Sequence, residues 1–170
     1  MIKKDDILLR PYTLSDAAAL ALIANNAKIA TNMRNLFPHP YSIDDALDFI
    51  TNTINGTIKG VFAIIYKGNL VGSIGIHPQT DVYIKTAELG YYVGEKYWNK
   101  GVASKSIAMI TKYGFESLHL TRIFAGVFEN NKASMKVLKK NGYMLECIKR
   151  KAIFKNKQLL DEYYYAKIND

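Results

Sequence analysis

The sequence predicts a single domain, residues 1–170, of the mixed α/β class, with helices interspersed among strands rather than a doubly wound sheet. Three observations carry this prediction. The chain has 170 residues and is 49% hydrophobic, which is enough for one full core. Runs rich in β-branched and aromatic residues alternate with helix-like runs that open on capping residues. Neither a linker nor a low-complexity segment divides these runs.

The first third of the chain predicts one strand and two helices. Residues 7–10 are apolar and β-prone, and a proline follows them. Thr13 is a good N-cap with Asp16 three residues on, and an apolar run comes next. Ser42 and Asp45 repeat this arrangement, so a second helix is expected to begin there.

The middle third predicts a hairpin, a third strand and an amphipathic helix. Residues 61–66 and 70–76 are β-rich, and Lys67-Gly68-Asn69 separates them as a turn. The third strand is expected from about Tyr83 to Val93. The helix that follows has one apolar face, made of Ala103, Ile107, Ile110, Gly114 and Leu118.

The last third predicts a strand, a short helix and two closing strands. The strand covers residues 122–127, and the helix runs from about Lys132 to Lys140 with Gly142 as its stop. The tail from Tyr143 to Ile168 reads as two strands broken near residues 155–158.

The most informative segment is Trp98-Asn99-Lys100-Gly101-Val102-Ala103-Ser104, between a predicted strand and a predicted helix. Glycine and small residues let main-chain N–H groups approach a ligand, and a helix N-terminus leaves those groups without partners. The segment therefore predicts a site for a diphosphate-containing cofactor. It is not a P-loop, because the Gly-Lys order is reversed, and no G-x-G-x-x-G occurs.

Charge and residue usage limit the possible functions. The net charge is +8 and the pI about 9.4. A local lysine cluster has two interpretations: it is the solvated face of a helix, or it attracts an anionic cofactor or partner. Its members are Lys132, Lys136, Lys139 and Lys140. Short apolar runs predict no membrane span, and the charged N-terminus predicts no secretory signal.

Cysteine and histidine usage predicts neither a disulfide nor a metal site. The lone Cys147 is consistent with a reducing cytoplasm. His39, His77 and His119 lie far apart without metal-ligand spacing, so they are expected to be ordinary loop or surface residues.

Three motifs in order resemble a known family. The run from Glu88 to Ser104, then Asn131-Lys132-Ala133-Ser134, then Asn141-Gly142-Tyr143, is similar to the GNAT superfamily of acetyl-CoA-dependent N-acetyltransferases. Within it the chain resembles the branch of the ribosomal-protein N-terminal acetyltransferases, over nearly its whole length. The resemblance implies a mixed, mostly antiparallel sheet of about seven strands, splayed in the middle, with about four helices.

The resemblance also implies where acetyl-CoA binds, with no metal involved. The family pattern of Gln or Arg, two residues, Gly, one residue, then Gly or Ala falls on Trp98-Asn99-Lys100-Gly101-Val102-Ala103, with Trp98 replacing the polar residue. The N–H groups of Asn99 to Ser104 would hold the diphosphate. Tyr91, Tyr92 and Val93 would pair with the pantetheine from a strand that splays at a bulge, and one N–H there would stabilise the oxyanion. Asn131 would hold the pantetheine arm.

Two residues are candidates for proton transfer. An acceptor amine must lose a proton before it can attack, and Glu88 on the reactive strand is the candidate base; otherwise it bonds a neighbouring loop. Many family members carry a tyrosine where this chain has Leu138, which cannot donate a proton. Ser134 is therefore the substitute donor to the CoA thiolate, unless it and Asn131 only cap the helix.

The acceptor pocket is expected to involve Arg34, Phe37, Tyr41 and Glu88. The proline-rich loop from Arg34 to Tyr41 is either a rigid connector or a pocket wall, and the resemblance adds the two N-terminal helices and the final strands. Asp44, Asp45 and Asp48 could attract a cationic acceptor, although a helix N-terminal charge pattern is preferred.

The sequence as a whole predicts a cytoplasmic N-acetyltransferase, monomeric or homodimeric. It would move an acetyl group to a primary amine, either a protein N-terminus or a small molecule, by direct attack in a ternary complex. Two alternatives stay open: a CoA-binding sensor without turnover, which Leu138 favours, and a basic protein associated with nucleic acid, which lacks a recognisable binding motif.

Overall fold

The structure is a computed structural model and describes residues 1–169. Its strands are β1 (Ile2–Lys4), β2 (Ile7–Arg10), β3 (Val61–Tyr66), β4 (Asn69–Pro78), β5 (Thr86–Val93), β6 (Arg122–Phe128), β7 (Met144–Lys155) and β8 (Gln158–Ile168). Its α-helices are α1 (Ala17–Ala24), α2 (Ala27–Ala30), α3 (Ile43–Ile54), α4 (Val102–Glu116) and α5 (Lys132–Lys140).

The strands form one sheet in the order β1-β2-β3-β4-β5-β6-β8-β7. Neighbouring strands are antiparallel throughout, except that β5 and β6 in the centre run parallel. The predicted mixed, mostly antiparallel α/β architecture is confirmed. Since α4 connects β5 to β6, the parallel pair has the helical crossover that parallel neighbours need.

Each face of the sheet carries its own core. On one face α4 and α5 bury residues such as Ile107, Ile110 and Leu138 against the central strands. On the other, α1 and α3 bury residues such as Leu20 and Ile50 against strands β3 and β4. The two helical layers cover the sheet on both sides.

Ser42 caps its helix as the sequence predicts, whereas Thr13 precedes a 3₁₀ turn, Leu14–Asp16, to which its side chain gives no cap, and α1 begins only after that turn. The Thr13 N–H donates to Asp16 at 2.9 Å, and Arg10 also donates to that carboxylate. Ser42 and Asp45 close a capping box at the start of α3, so Asp45 serves the helix N-terminus.

Two elements were not predicted, and one begins later than expected. The short strand β1 pairs with β2, and Ile-Lys-Lys is too short to show an alternating pattern. Helix α2 is a single turn, started by the side chain of Asn26, which accepts from the N–H groups of Lys28 and Ile29. Strand β5 starts at Thr86 because a 3₁₀ turn, Asp81–Tyr83, precedes it.

Candidate active site

The central sheet opens into a V-shaped split between β5 and β6. The two strands pair only at Thr86–Arg122, Ala87–Ile123 and Glu88–Phe124. Beyond Glu88, β5 stays paired with β4 as far as Val93, and β6 stays paired with β8 as far as Phe128. The inner edges of residues 89–93 and 125–128 therefore face each other without pairing, and the predicted splay is confirmed.

The predicted bulge on the splaying strand is absent. The β4–β5 register runs without a shift from Gly72–Val93 to Pro78–Ala87. The irregularity lies one strand further out, between β3 and β4, where the register shifts between Ile64 and Ile65. The split therefore follows from the divergence of β5 and β6, since each keeps its other partner, and no extra residue in β5 is needed.

A cleft of about 240 Å³ lies at the closed end of the split. Loop, strand and helix residues line it together. They are Asn32, Met33, Arg34, Phe37, His77, Glu88, Leu89, Gly90, Tyr91, Ala125, Gly126, Val127, Phe128, Asn131, Ser134 and Glu162. The cleft thus brings together Arg34, Phe37, Glu88, Tyr91 and Ser134, which the sequence predicted from separate parts of the chain.

Helix α4 begins without a side-chain cap. Gly101 at its N-cap has φ +75° and no heavy atom within 4 Å of where a Cβ would stand. The first-turn N–H groups of Val102, Ala103 and Ser104 have no partner within a helix, and an α-helix carries partial positive charge there. This open, positive terminus lies where the sequence predicts a diphosphate site.

The residues before α4 are held in an unusual main-chain conformation. Asn99 has φ +60°, and the Lys100 ammonium lies 5.6 Å from the ring centre of Tyr97. The indole N–H of Trp98 donates to the Val93 carbonyl at 2.6 Å. Trp98 thus ties the loop to the end of β5 through its indole N–H.

A hydroxyl pair spans the split. The hydroxyl oxygens of Tyr91 and Ser134 are 2.6 Å apart, which links β5 to the first turn of α5. Burial raises the pKa of Tyr91 to about 12, opposed by its hydrogen bond with Ser134, so this phenol is neutral at physiological pH. The Asn131 side chain caps α5 by accepting from the Ser134 N–H at 3.1 Å. Leu138 is fully buried in the core.

The predicted aromatic residues are divided between the cleft and the core behind it. Tyr92 points to the face covered by α1 and α3, and its ring packs edge-on against Phe37, with ring centres 5.4 Å apart. Tyr41 is buried behind Phe37, 5.0 Å between ring centres, and does not line the cleft. Tyr41 therefore supports the wall of the cleft that Phe37 forms.

Glu88 bonds the loop that precedes α3. Its side chain is 23% exposed, and its carboxylate accepts from the guanidinium of Arg34. This is the loop contact that sequence reasoning gave as the alternative to a base. The carboxylate of Glu88, paired with Arg34, therefore lies at the point where β5 separates from β6.

His77 is not an ordinary surface residue. It pairs with Glu88 in the β4–β5 register and lines the cleft, so the expectation for this histidine is corrected. Burial lowers the pKa of His77 below its ordinary value of 6.5; the charge of Glu88 opposes this, and the charge of Arg34 adds to it. Its position was missed because one histidine within a strand has no local motif.

Glu162 of β8 was also missed. A Cβ at position 126 would lie 2.3 Å from its Oε1, so its carboxylate occupies space that Gly126 leaves free. The ammonium of Lys149 is 3.9 Å away. The Gly at position 126, within a strand of large apolar residues, is the sequence signal that a close approach occurs there.

Two further kinds of feature are absent from the described part of the chain. Within residues 1–169, no group of three or more His, Cys, Asp or Glu side chains could hold a metal ion. Over the same residues, every helix is too short or too polar to cross a membrane.

Comparison with known proteins gives a consistent result. A family model described as an acetyltransferase (GNAT) domain matches residues 6–144. The uncharacterized N-acetyltransferase YoaA of Bacillus subtilis (strain 168) is 29% identical over 173 residues, which cover 98% of this chain and 95% of that protein. The ribosomal-protein-serine acetyltransferase of Escherichia coli (strain K12) is 29% identical over 110 residues, 65% of this chain and 61% of that protein.

Among solved structures, the microcin C7 self immunity acetyltransferase MccE, in complex with acetyl-CoA and AMP, has a TM-score of 0.83 and 27% identity. The match covers 98% of this chain and 94% of that one. The predicted likeness to ribosomal-protein acetyltransferases is confirmed by the Escherichia coli relative.

Proposed function

The chain belongs to the GNAT acetyltransferase family, and on that premise we propose that it moves an acetyl group from acetyl-CoA to a primary amine. The acceptor would attack directly in a ternary complex. The observation that carries the proposal is the V-shaped split that opens beside the uncapped start of α4. Acetyl-CoA would supply the activated acetyl group there.

The main chain around the split fits a CoA molecule. The first-turn N–H groups of α4 would hold the diphosphate, with Asn99 and Gly101 keeping the loop open. The unpaired inner edge of β5, at Tyr91 to Val93, would bond the pantetheine amides as a neighbouring strand does. Asn131 would face the same arm from α5. A main-chain N–H of β5 would stabilise negative charge as it develops on the acetyl oxygen.

Side chains in the cleft would handle the protons. Glu88 is the proposed base, acting on the acceptor ammonium directly or through an intervening group, because its carboxylate stands where the reactive strand begins to separate. Ser134 is the proposed donor to the departing thiolate. Its hydroxyl is already paired with the neutral hydroxyl of Tyr91, so a proton can be passed along two hydroxyls.

The acceptor would enter between the loop of Arg34 and Phe37 and strand β8. Glu162 reaches this part of the cleft, so the wall carries two carboxylates, each with a basic neighbour. Such a wall suits an ammonium group. The Escherichia coli relative acts on a ribosomal protein by its name, and a peptide N-terminus is the first acceptor to test.

A cytoplasmic location completes the proposal. Cys147 is a free, exposed cysteine, which is typical of a protein kept in a reducing compartment.

The experiment is a thermal unfolding and thiol-release assay on the purified chain. Acetyl-CoA at one hundred times its dissociation constant is expected to raise the unfolding free energy by about 2.7 kcal/mol. A panel of peptides and small amines is then expected to include one that releases free CoA thiol. Stabilisation without release over the whole panel would instead support the sensor alternative, and no stabilisation would overturn the proposal.

A further inference from the structure

His77 lies over the start of the split on a surface that two glycines keep clear. Its Nε2 is 2.9 Å from where a Cβ at Gly75 would stand and 3.9 Å from that of Gly90. Gly75 precedes it by two residues on β4, and Gly90 follows Glu88 by two residues on β5. The imidazole therefore lies across two strands, above the first residues of β5 that have lost contact with β6.

Two charged side chains and one main-chain group surround His77, and they come from three parts of the chain. Glu88 faces it from β5, and Arg34 reaches the same place from the loop before α3. On the third side, the main chain of Lys59, just before β3, favours the charged form of the ring. Burial and the charge of Arg34 lower the pKa of His77, whereas Glu88 and Lys59 raise it. The pKa ends below its ordinary value, so the ring is mainly neutral at physiological pH. A neutral imidazole has one nitrogen that can accept a proton.

By contrast, Glu88 is already engaged. Its carboxylate accepts from the Arg34 guanidinium, and such charge-assisted bonds are the strong ones. Breaking that bond to accept a proton would leave Arg34 without its partner. His77 has no comparable ion pair among residues 1–169 and stands beside the same carboxylate.

Resting on the proposed function, we propose that His77 is the residue that takes the proton from the acceptor ammonium, with Glu88 stabilising the imidazolium that results. One proton moves from the ammonium nitrogen to the ring, and the neutral amine forms the new N–C bond as the C–S bond breaks. The second proton leaves the nitrogen and replaces the one that Ser134 gives to the thiolate sulfur, which yields free CoA thiol. The imidazolium returns its proton to water. Glu88 then acts through His77, the intervening group.

The test compares His77→Gln with the wild type across a range of pH, using an acceptor that the thiol-release panel identifies. At pH 7 the variant is expected to lose about 100-fold in kcat/KM, a typical contribution of general base catalysis. The loss should shrink to less than about tenfold as the pH approaches the pKa of the amine, because the amine then needs no base. His119→Asn is the matched control, since His119 is exposed and does not line the cleft.

Each outcome has a separate meaning. A loss that is the same at every pH would show a structural role and overturn the assignment, as would a variant with wild-type rates. The double variant with Glu88→Gln is expected to be little worse than either single variant, because residues that act as a unit are not additive. Absence of thiol release by the wild type would overturn the proposed function itself.

Discussion

The two halves of the site are built from different parts of the polypeptide. One half, here called the main-chain half, consists of the uncapped first turn of α4 and the unpaired inner edges of β5 and β6. The other, here called the side-chain half, consists of Arg34, His77, Glu88 and Glu162. The first depends on conformation and the absence of side chains, whereas the second depends on which side chains four separate segments bring together.

This difference decides what each half can specify. Main-chain N–H and C=O groups are the same in every residue, so the main-chain half can bind the constant parts of a ligand through many sequences. The side-chain half presents two carboxylates, a guanidinium and an imidazole, and each can be replaced singly. Substitutions should therefore separate cofactor binding from turnover and acceptor recognition.

The largest effect is expected from Glu88→Gln. The change keeps the shape but removes the charge that pairs with Arg34 and faces His77. We expect kcat/KM to fall by about 100-fold or more, while the Kd of acetyl-CoA stays within about twofold. Thiol release and calorimetry would measure the two quantities. Glu116→Gln, which alters an exposed glutamate on α4, is the control. A parallel loss of acetyl-CoA binding would contradict the division between the halves.

The opposite pattern is expected from Gly101→Val in the main-chain half. Valine is strained at φ +75°, so the approach to α4 should change, and acetyl-CoA should bind about tenfold more weakly, about 1.4 kcal/mol. Gly56→Val is a matched control, since Gly56 has φ +80°, an equally open Cβ position and no place in the cleft. Equal Kd values for the two variants would remove Gly101 from the cofactor site.

A smaller effect is expected from Glu162→Gln. Loss of its charge should raise the KM of a cationic acceptor by about five- to tenfold and change kcat little. That fold-change is about 1.0–1.4 kcal/mol, within the range of about 0.5–1.5 kcal/mol that one hydrogen bond contributes net. Steady-state thiol release would give both constants. Glu146→Gln, on the exposed strand β7 and paired with Arg122, should leave the KM unchanged. A change confined to kcat would place Glu162 among the proton-transfer groups instead.

The smallest effect concerns stability against pH. Because burial lowers the pKa of His77 in the folded chain, the unfolded chain binds a proton first as the pH falls. The stability that neutral His77 contributes to the folded state is therefore fully present above pH 6.5. It is lost as the pH falls through the lower pKa that His77 has in the folded chain. Urea unfolding of wild type and His77→Gln at several pH values would measure it. The unfolding free energies of the two proteins, plotted against pH, should diverge below pH 6.5. Parallel plots would show that the pKa of His77 is not lowered by folding.

The same division explains how far sequence reasoning reached. The segment around Gly101 was informative because a helix start after a strand is a local event, encoded in adjacent residues. His77 and Glu162 have no such signal, since each lies in a strand and meets the cleft only through register with a neighbour. The glycines that make room for them, Gly75 and Gly126, were visible, but which side chain fills the space depends on strand pairing.

The short parallel contact between β5 and β6 has a consequence for the integrity of the sheet. Exposed strand edges invite pairing with other chains, and this fold has two such edges inside the molecule besides those at its rims. They face each other across a wedge closed at Glu88, so neither edge lies at the rim of the sheet. An extended ligand placed between the two strands can bond their free amides, so the same geometry that keeps these edges away from the rim of the sheet leaves them available for binding.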